Sequence, residues 1–290
     1  MKKIIVLILF IFFCFRSAYA LDWKKLHDEA DKLTLPEAAA SSEKDPGSAD
    51  RLYSLGLVCL NLHRDKEAKE AFEKILLESG DRVEAKWGVA EVLRRQHDIE
   101  KSERLLNEVI QKDGNFSPAY ITLAYIKYTQ LKLNDAVRLV SKVIGQGAEN
   151  VDLSNYVRAH LIYGGTKGLI AHRGGPFSKL VNGIVVLGYL KKAESLQPDS
   201  AGVLLGVGSF YLLAPTIAGG SLEKAEDYLE RSVSMDPLLA DTYVRLAQLY
   251  KFKGSDREYE ININKALEID PGNELALDIK SGECRFVCTR

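Results

Sequence analysis

Five consecutive residues, Gly164-Gly165-Thr166-Lys167-Gly168, bring together the glycines, hydroxyl and lysine that a phosphate-binding loop uses. Such a loop needs the spacing G-x-x-x-x-G-K-[ST] after a strand, so that backbone N–H groups cradle the phosphates and the lysine reaches them. Neither the spacing nor a strand pattern is present, so the run reads as an interhelical turn. The five histidines, His27, His63, His97, His160 and His172, are scattered, and none belongs to an H-E-x-x-H or Cys/His cluster. Cys284 and Cys288 flank Arg285-Phe286-Val287. They read as a disulfide clamping the C-terminal tail or as two free thiols, since spacing does not determine pairing. No neighbouring histidine or second cysteine pair completes a tetrahedral metal site. Cys59 falls among apolar residues and reads as a small buried hydrophobe. No motif supports catalysis, a cofactor or a metal.

The N-terminus carries a targeting pattern. Met1-Lys2-Lys3 precedes the apolar run from Ile4 to Phe15 and the small-residue site Ala18-Tyr19-Ala20, which together read as a signal peptide over residues 1–20. The run is short of the roughly 20 residues a membrane span needs. Cys14 follows Phe12-Phe13, where lipid transfer would want small residues, so a lipoprotein reading is rejected. Without the leader, 36 basic residues face 40 acidic ones, which argues against a nucleic-acid partner. No later segment is long and apolar enough to span a bilayer. The expectation is a periplasmic or secreted protein with no membrane span in its mature form.

What positions these residues is a pattern that returns every 34 residues. Leu55-Gly56 with Ala68 and Phe72, Val89-Ala90 with Ser102 and Leu106, and Leu123-Ala124 with Ala136 and Val140 share one register. Large residues spaced three and four apart form one apolar helical face, and small ones allow two helices to approach. A later unit repeats the pattern with Tyr243, Leu246, Ala247 and Tyr250, then Ile263, Ala266 and Pro271. Between them, Leu204, Val207, Gly208 and Tyr211 lead to Ala225, Leu229 and Pro237, with an excess in the loop from Ala214 to Gly220. The unit opened by Ala159 and closed by Leu190, Ala193 and Pro198 is longer still, and its excess contains Gly164-Gly165 and Gly174-Gly175.

On these residues the chain resembles the tetratricopeptide repeat family. The resemblance implies an all-α, right-handed superhelical solenoid of about six helical hairpins with capping helices at both ends. The units run over residues 49–82, 83–116, 117–150, 151–200, 201–239 and 240–273, the fourth and fifth with insertions. Val186 and Tyr259 depart from the pattern where a small residue is usual, as does Lys127 where an aromatic is usual. Residues 21–48 form an N-terminal capping segment, with a helix over Asp22 to Leu33 interrupted by Pro36, covering the exposed end of the array. Residues 274–290 supply a C-terminal cap and tail.

In that family the first helix of each unit lines a concave groove. Carried onto this chain, its groove positions are Tyr53, Trp87, Glu91, Arg94, Tyr125, Tyr128, Tyr156, His160 and Tyr163. Aromatic side chains with polar edges suit a protein or peptide segment. Tyr53 and Leu57 stand where the family's carboxylate clamp would place Lys and Asn, which disfavours a chaperone-tail receptor. Tyr211 to Pro237, with Gly219-Gly220 and Lys224-Ala225 at its centre, also looks like part of the T-component family of TRAP transporters. That resemblance implies a periplasmic solute-binding protein as partner and a small apolar ligand roofed by the two insertions. The leading expectation is a non-enzymatic interaction scaffold or adaptor; the alternative is a periplasmic ligand-binding accessory of a TRAP-type transporter.

Overall fold

The computed structural model describes residues 22–286, which contain fifteen α-helices and no strand. The leader, residues 1–20, lies outside them, as does Cys288. Two short helices come first, α1 (Trp23–Ala30) and α2 (Leu35–Lys44). Six hairpins follow: α3 (Ala49–Asn61) with α4 (Asp65–Glu78), α5 (Val83–Arg95) with α6 (Ile99–Lys112), and α7 (Ser117–Thr129) with α8 (Leu133–Gln146). The next three are α9 (Leu153–Arg173) with α10 (Pro176–Leu196), α11 (Ala201–Leu213) with α12 (Leu222–Met235), and α13 (Ala240–Phe252) with α14 (Asp256–Ile269). Helix α15 (Glu274–Ser281) closes the array.

Packing explains the small residues of the repeat. The Phe72 ring is fully buried between Gly56 of its own hairpin and Gly88 of the next. A Cβ on either glycine would stand 2.4 Å from a ring carbon, so both must lack one. Ala68 is the small residue of the second helix; Ser102 takes its position one unit later and donates its hydroxyl to the Ala90 carbonyl at 2.7 Å, which satisfies a buried polar group. Helix starts are fixed by side-chain caps: Ser48, Asp98, Asp152, Ser221 and Asn273 each accept a backbone N–H three residues on.

Four hairpins turn in the same way. The N–H groups of Arg64, Asp98, Lys132 and Ser255 each donate to the carbonyl five residues back, the bond of a Schellman helix end with one left-handed residue. That residue is Gly254 in the sixth hairpin but His63, His97 and Leu131 in the first three, with φ of 56°, 61° and 60°. A side chain at such a φ costs on the order of 1 kcal/mol relative to glycine, and these three side chains have a use described below.

The fourth unit departs from its expected form. Its excess residues do not make a loop: α9 and α10 are both 21 residues long, against 13 and 14 for α3 and α4. Gly164-Gly165-Thr166-Lys167-Gly168 lies inside α9, and the hairpin turns at Gly174-Gly175 instead. Glycine allows a close approach at Gly164. A Cβ on Gly164 would stand 3.2 Å from Leu190 of α10, and one on Gly168 3.8 Å from Val186. In the fifth unit the excess does form a loop, with a 3-10 turn over Thr216–Ala218 and Gly219 at φ 94°.

The N-terminal segment also differs from its expected place. Pro36 begins α2 within the first turn, where its missing N–H costs nothing, under a Thr34/Glu37 capping box. Helix α2 packs on α3, but α1 lies against α3 and α9. Its His27 Nε2 is 2.9 Å from the Tyr53 hydroxyl, Trp23 meets the Phe116 ring edge-on at 5.3 Å, and Asp28 accepts the Leu153 N–H at 2.9 Å. A two-turn helix that touches the first helices of several successive units runs along the concave side. It fills part of the groove rather than covering the end of the array.

Candidate functional site

The superhelix turns far enough to bring its two ends together. His63 Nε2 is 2.8 Å from Asp236, and His97 Nε2 is 2.8 Å from Asp270, so both pairs span 173 residues. His97 Nδ1 also faces Glu274 at 3.4 Å. With a carboxylate on each ring nitrogen, only the imidazolium can donate to both. Burial acts to lower the His97 pKa, but the bond to Asp270 and the charges of Asp270 and Glu274 outweigh it and raise it. The third member of the series, Leu131, packs with Tyr128 against Phe286 of the C-terminal tail. The three left-handed turn residues of units one to three thus meet the end of the chain in succession.

His63 and His97 occupy one repeat position, a regularity hidden when the histidines are viewed as scattered. Its legible trace was a side chain at the turn position where the sixth unit has Gly254. The partner surface is shaped to match. A Cβ on Gly272 would stand 2.5 Å from the His97 ring, so the imidazole reaches its place only over glycine.

Closure leaves a chamber of about 830 Å³ on the axis, walled by α1, α3, α5, α7, α9 and the starts of α11, α13 and α15. Glu91 anchors its wall. The Trp87 indole donates to the Thr122 hydroxyl at 3.0 Å, and that hydroxyl donates to Glu91 at 2.8 Å. Arg94 and Arg95 donate to the same carboxylate at 2.7 and 3.3 Å. Burial opposes the Glu91 charge, but the arginines prevail and hold its pKa far below the carboxylate range. The Arg94 guanidinium lies 4.8 Å over the Tyr125 ring, and the Tyr125 hydroxyl donates to Asp241 at 3.4 Å. One polar network therefore crosses from unit two through unit three to unit six.

Arg158 of α9 also lines the chamber. Its described hydrogen bond is a long one to Asn155 at 3.5 Å, and no carboxylate among the described residues is within ion-pair distance. Burial lowers its pKa. Glu91 and Asp152 act on this charge from beyond ion-pair distance, so a cation on the chamber wall without a direct ion pair suits an incoming acid group.

The nine groove positions separate into three groups. Tyr53 and Trp87 are buried in the core beneath α1, Trp87 also joining the chamber network through its indole. Glu91, Arg94 and Tyr125 belong to the chamber network, while Tyr128 is covered by Phe286 at 5.9 Å between ring centroids. Tyr156, His160 and Tyr163 turn away from the chamber toward Tyr189 of α10. His160 lies 4.7 Å from Tyr156 and 5.7 Å from Tyr189, and Tyr163 stacks on Tyr189 at 4.1 Å. Arg158, Asp241, Asn273 and Glu274, which the groove pattern does not name, stand on the chamber wall. Cys284 is disulfide-bonded, with its partner outside the described residues, and Cys59 is free and buried. Among the described residues, no helix is long and apolar enough to cross a membrane and no group of three metal-ligating side chains is gathered.

Comparison with known proteins agrees with the architecture. No curated protein matches the sequence. Among solved structures, the Cut9-Hcn1 hetero-tetramer of the APC/C is similar at TM-score 0.58 and 16% identity, over 90% of this chain and 48% of that one. Human IFIT1 in its dimer with PPP-AAAA is similar at TM-score 0.57 and 18% identity, over 82% and 54%. This chain thus spans about half the length of each. PilF of Pseudomonas aeruginosa is similar at TM-score 0.47 and 13% identity, over 81% and 97%. The tetratricopeptide repeat model matches residues 49–80 and 240–273, the first and sixth hairpins. The first and sixth hairpins are thus matched as tetratricopeptide repeats, and the four hairpins between them stack in the same way.

Proposed function

We propose that the protein is an exported, non-catalytic interaction scaffold that receives a short, carboxylate-bearing protein segment in its axial chamber. The observation that carries this reading is Arg158, a cation on the chamber wall with no carboxylate within ion-pair distance among the described residues, on the same wall as Arg94 and Tyr125. Repeat arrays recognise partners on the inner faces of their first helices, and α1 already demonstrates that this face accommodates a helical segment. The leader pattern at residues 1–20 supports reading it as a protein of the periplasm or of the outside of the cell.

Affinity capture from periplasmic extract, with wild type and with Tyr125→Ala/Arg158→Met as baits, tests the reading. A partner bound by wild type and by Tyr156→Ala, but lost by the double variant, is the expected result. Equal capture by all three baits, confirmed as equal affinity by titration calorimetry, would sink the chamber as the docking site.

The alternative, a TRAP-type accessory holding a small apolar ligand, put its ligand under the insertions beside Gly174 and Ala214. Neither residue lines the chamber, and the wall carries Arg94, Arg95, Arg158, Asp241 and Glu274. Apolar side chains such as Leu57, Val157, Leu161 and Leu205 share that lining with these charged groups.

A further inference from the structure

The long fourth hairpin carries a feature that neither the chamber nor the repeat requires. Helix α10 is apolar on two sides. Val186, Leu190 and Ala193 face the core, as its pairing with α9 and α11 demands. On its first two turns a second apolar row, Phe177, Leu180, Val181 and Ile184, is open to solvent, with Phe177 79% and Ile184 75% exposed. The spacing of three and four puts these four side chains on one face. A helix apolar all round is ordinarily buried all round, and a contiguous exposed row of this size marks a contact surface.

The same end of the hairpins carries a second exposed apolar group. Because successive helices alternate in direction, the turn from α9 to α10 and the loop from α11 to α12 lie at one end of their hairpins. That loop holds Ile217, 99% exposed in its 3-10 turn. Neither group borders the chamber.

Charge distinguishes among occupants. From Leu153 to Ala193 there is no Asp or Glu, while Arg158, Lys167, Arg173, Lys179, Lys191 and Lys192 all fall within that stretch. The chain without its leader is acidic in balance, so this hairpin is its basic region. Lys179 lies beside the apolar row, exposed, and Arg173 is exposed at the turn. A second copy of the chain docked by two-fold symmetry would bring like charges together. An anionic lipid surface complements both features, since an interfacial helix sinks an apolar face below the headgroups while lysines meet their phosphates. Helix α10 does not qualify as a span.

We propose that the tip of the α9–α10 hairpin, with the Ile217 loop beside it, docks the protein on an anionic phospholipid surface through Phe177, Leu180, Val181, Ile184 and Lys179. Docking by this end leaves the axial chamber free.

The test uses the full chain with a polarity-sensitive fluorophore at Ile184→Cys, and at Leu77→Cys on α4 as control, a site 87% exposed. A local reporter separates the hairpin from any membrane affinity of the leader. With phosphatidylcholine vesicles containing about 30 mol% phosphatidylglycerol, the probe at 184 should shift to the blue and resist an aqueous quencher, and the probe at 77 should not. Phosphatidylcholine alone or added salt should weaken the shift, and Phe177→Ser or Lys179→Glu should weaken it about tenfold with the helical circular dichroism unchanged. No shift at 184, or an equal shift at 77, overturns the proposal. A shift that grows with protein concentration without vesicles, together with a doubled mass in light scattering, overturns it in favour of self-association.

Discussion

Replacing His97 by glycine should change stability by an amount that depends on pH. The left-handed backbone at φ 61° favours glycine, and the relief is about 0.5 kcal/mol once the greater freedom of glycine in the unfolded chain is counted. Against it stands the loss of two carboxylate contacts on a side chain 32% exposed. Screened pairs of this kind contribute about 1 kcal/mol together when the ring is charged, and less when it is neutral. His97 has a raised folded pKa, so its contribution is complete below the unfolded value of 6.5 and disappears as pH rises through the folded value. His97→Gly should therefore match or slightly exceed wild type near pH 8 and fall about 0.5 kcal/mol below it near pH 5.5. Thermal melting at the two pH values reads this as a shift of about 2–4 °C per kcal/mol for a chain of this size. An equal shift at both values, or a larger loss at alkaline pH, would refute the ion-paired seam.

Gly272→Ala should reproduce the acid-dependent loss of His97→Gly, because its Cβ would meet the imidazole at 2.5 Å; melting of the double variant should show no added cost. Burial lowers the His27 pKa despite Asp152 at 3.8 Å. Its stability contribution is thus present above 6.5 and lost as pH falls through the folded value, so proteolysis near α1 should accelerate on acidification in wild type and not in His27→Gln. Arg158→Met should raise stability by about 1 kcal/mol in denaturant titration by removing an unpaired cation, while abolishing partner binding; a loss of stability would mean that the cation is paired in the folded chain.

The hairpin array was legible because its determinants are local. Gly56, Ala68 and Phe72 recur at the same offsets as Ala90, Ser102 and Leu106, and each unit needs only its neighbour to bury that face. The fourth hairpin was misread for the complementary reason. Gly164 and Gly168 look like turn residues in isolation, but both lie inside α9 where α10 packs on it, closely enough at Gly164 that a Cβ would press on Leu190. Tertiary contact there overrides local preference. Helix α1 was legible as a helix, from Trp23 and Leu26 on one side, but its place was not, because Tyr53 and Asn155, which receive it, are far apart in sequence.

The chamber was the least legible part, since it depends on the rotation summed over the five interfaces between hairpins. Small angular differences between units decide whether Asp236 reaches His63 or passes it by. For the same reason Tyr156, His160 and Tyr163 resembled groove residues: the repeat position specifies a helix face, whereas the lengthened α10 brings Tyr189 to that face. The substitution of histidine for glycine at two equivalent left-handed turns is the sequence trace of closure.

Closure itself is tested most directly by a distance across the seam in solution. Spin labels at Leu62→Cys and Leu238→Cys, exposed sites next to His63 and two residues from Asp236, report it through pulsed electron resonance. The account predicts one narrow distribution at the short end of the measurable range, lengthened by His63→Gly/His97→Gly. A broad or long distribution in the wild-type chain would mean an open superhelix, with neither seam nor chamber.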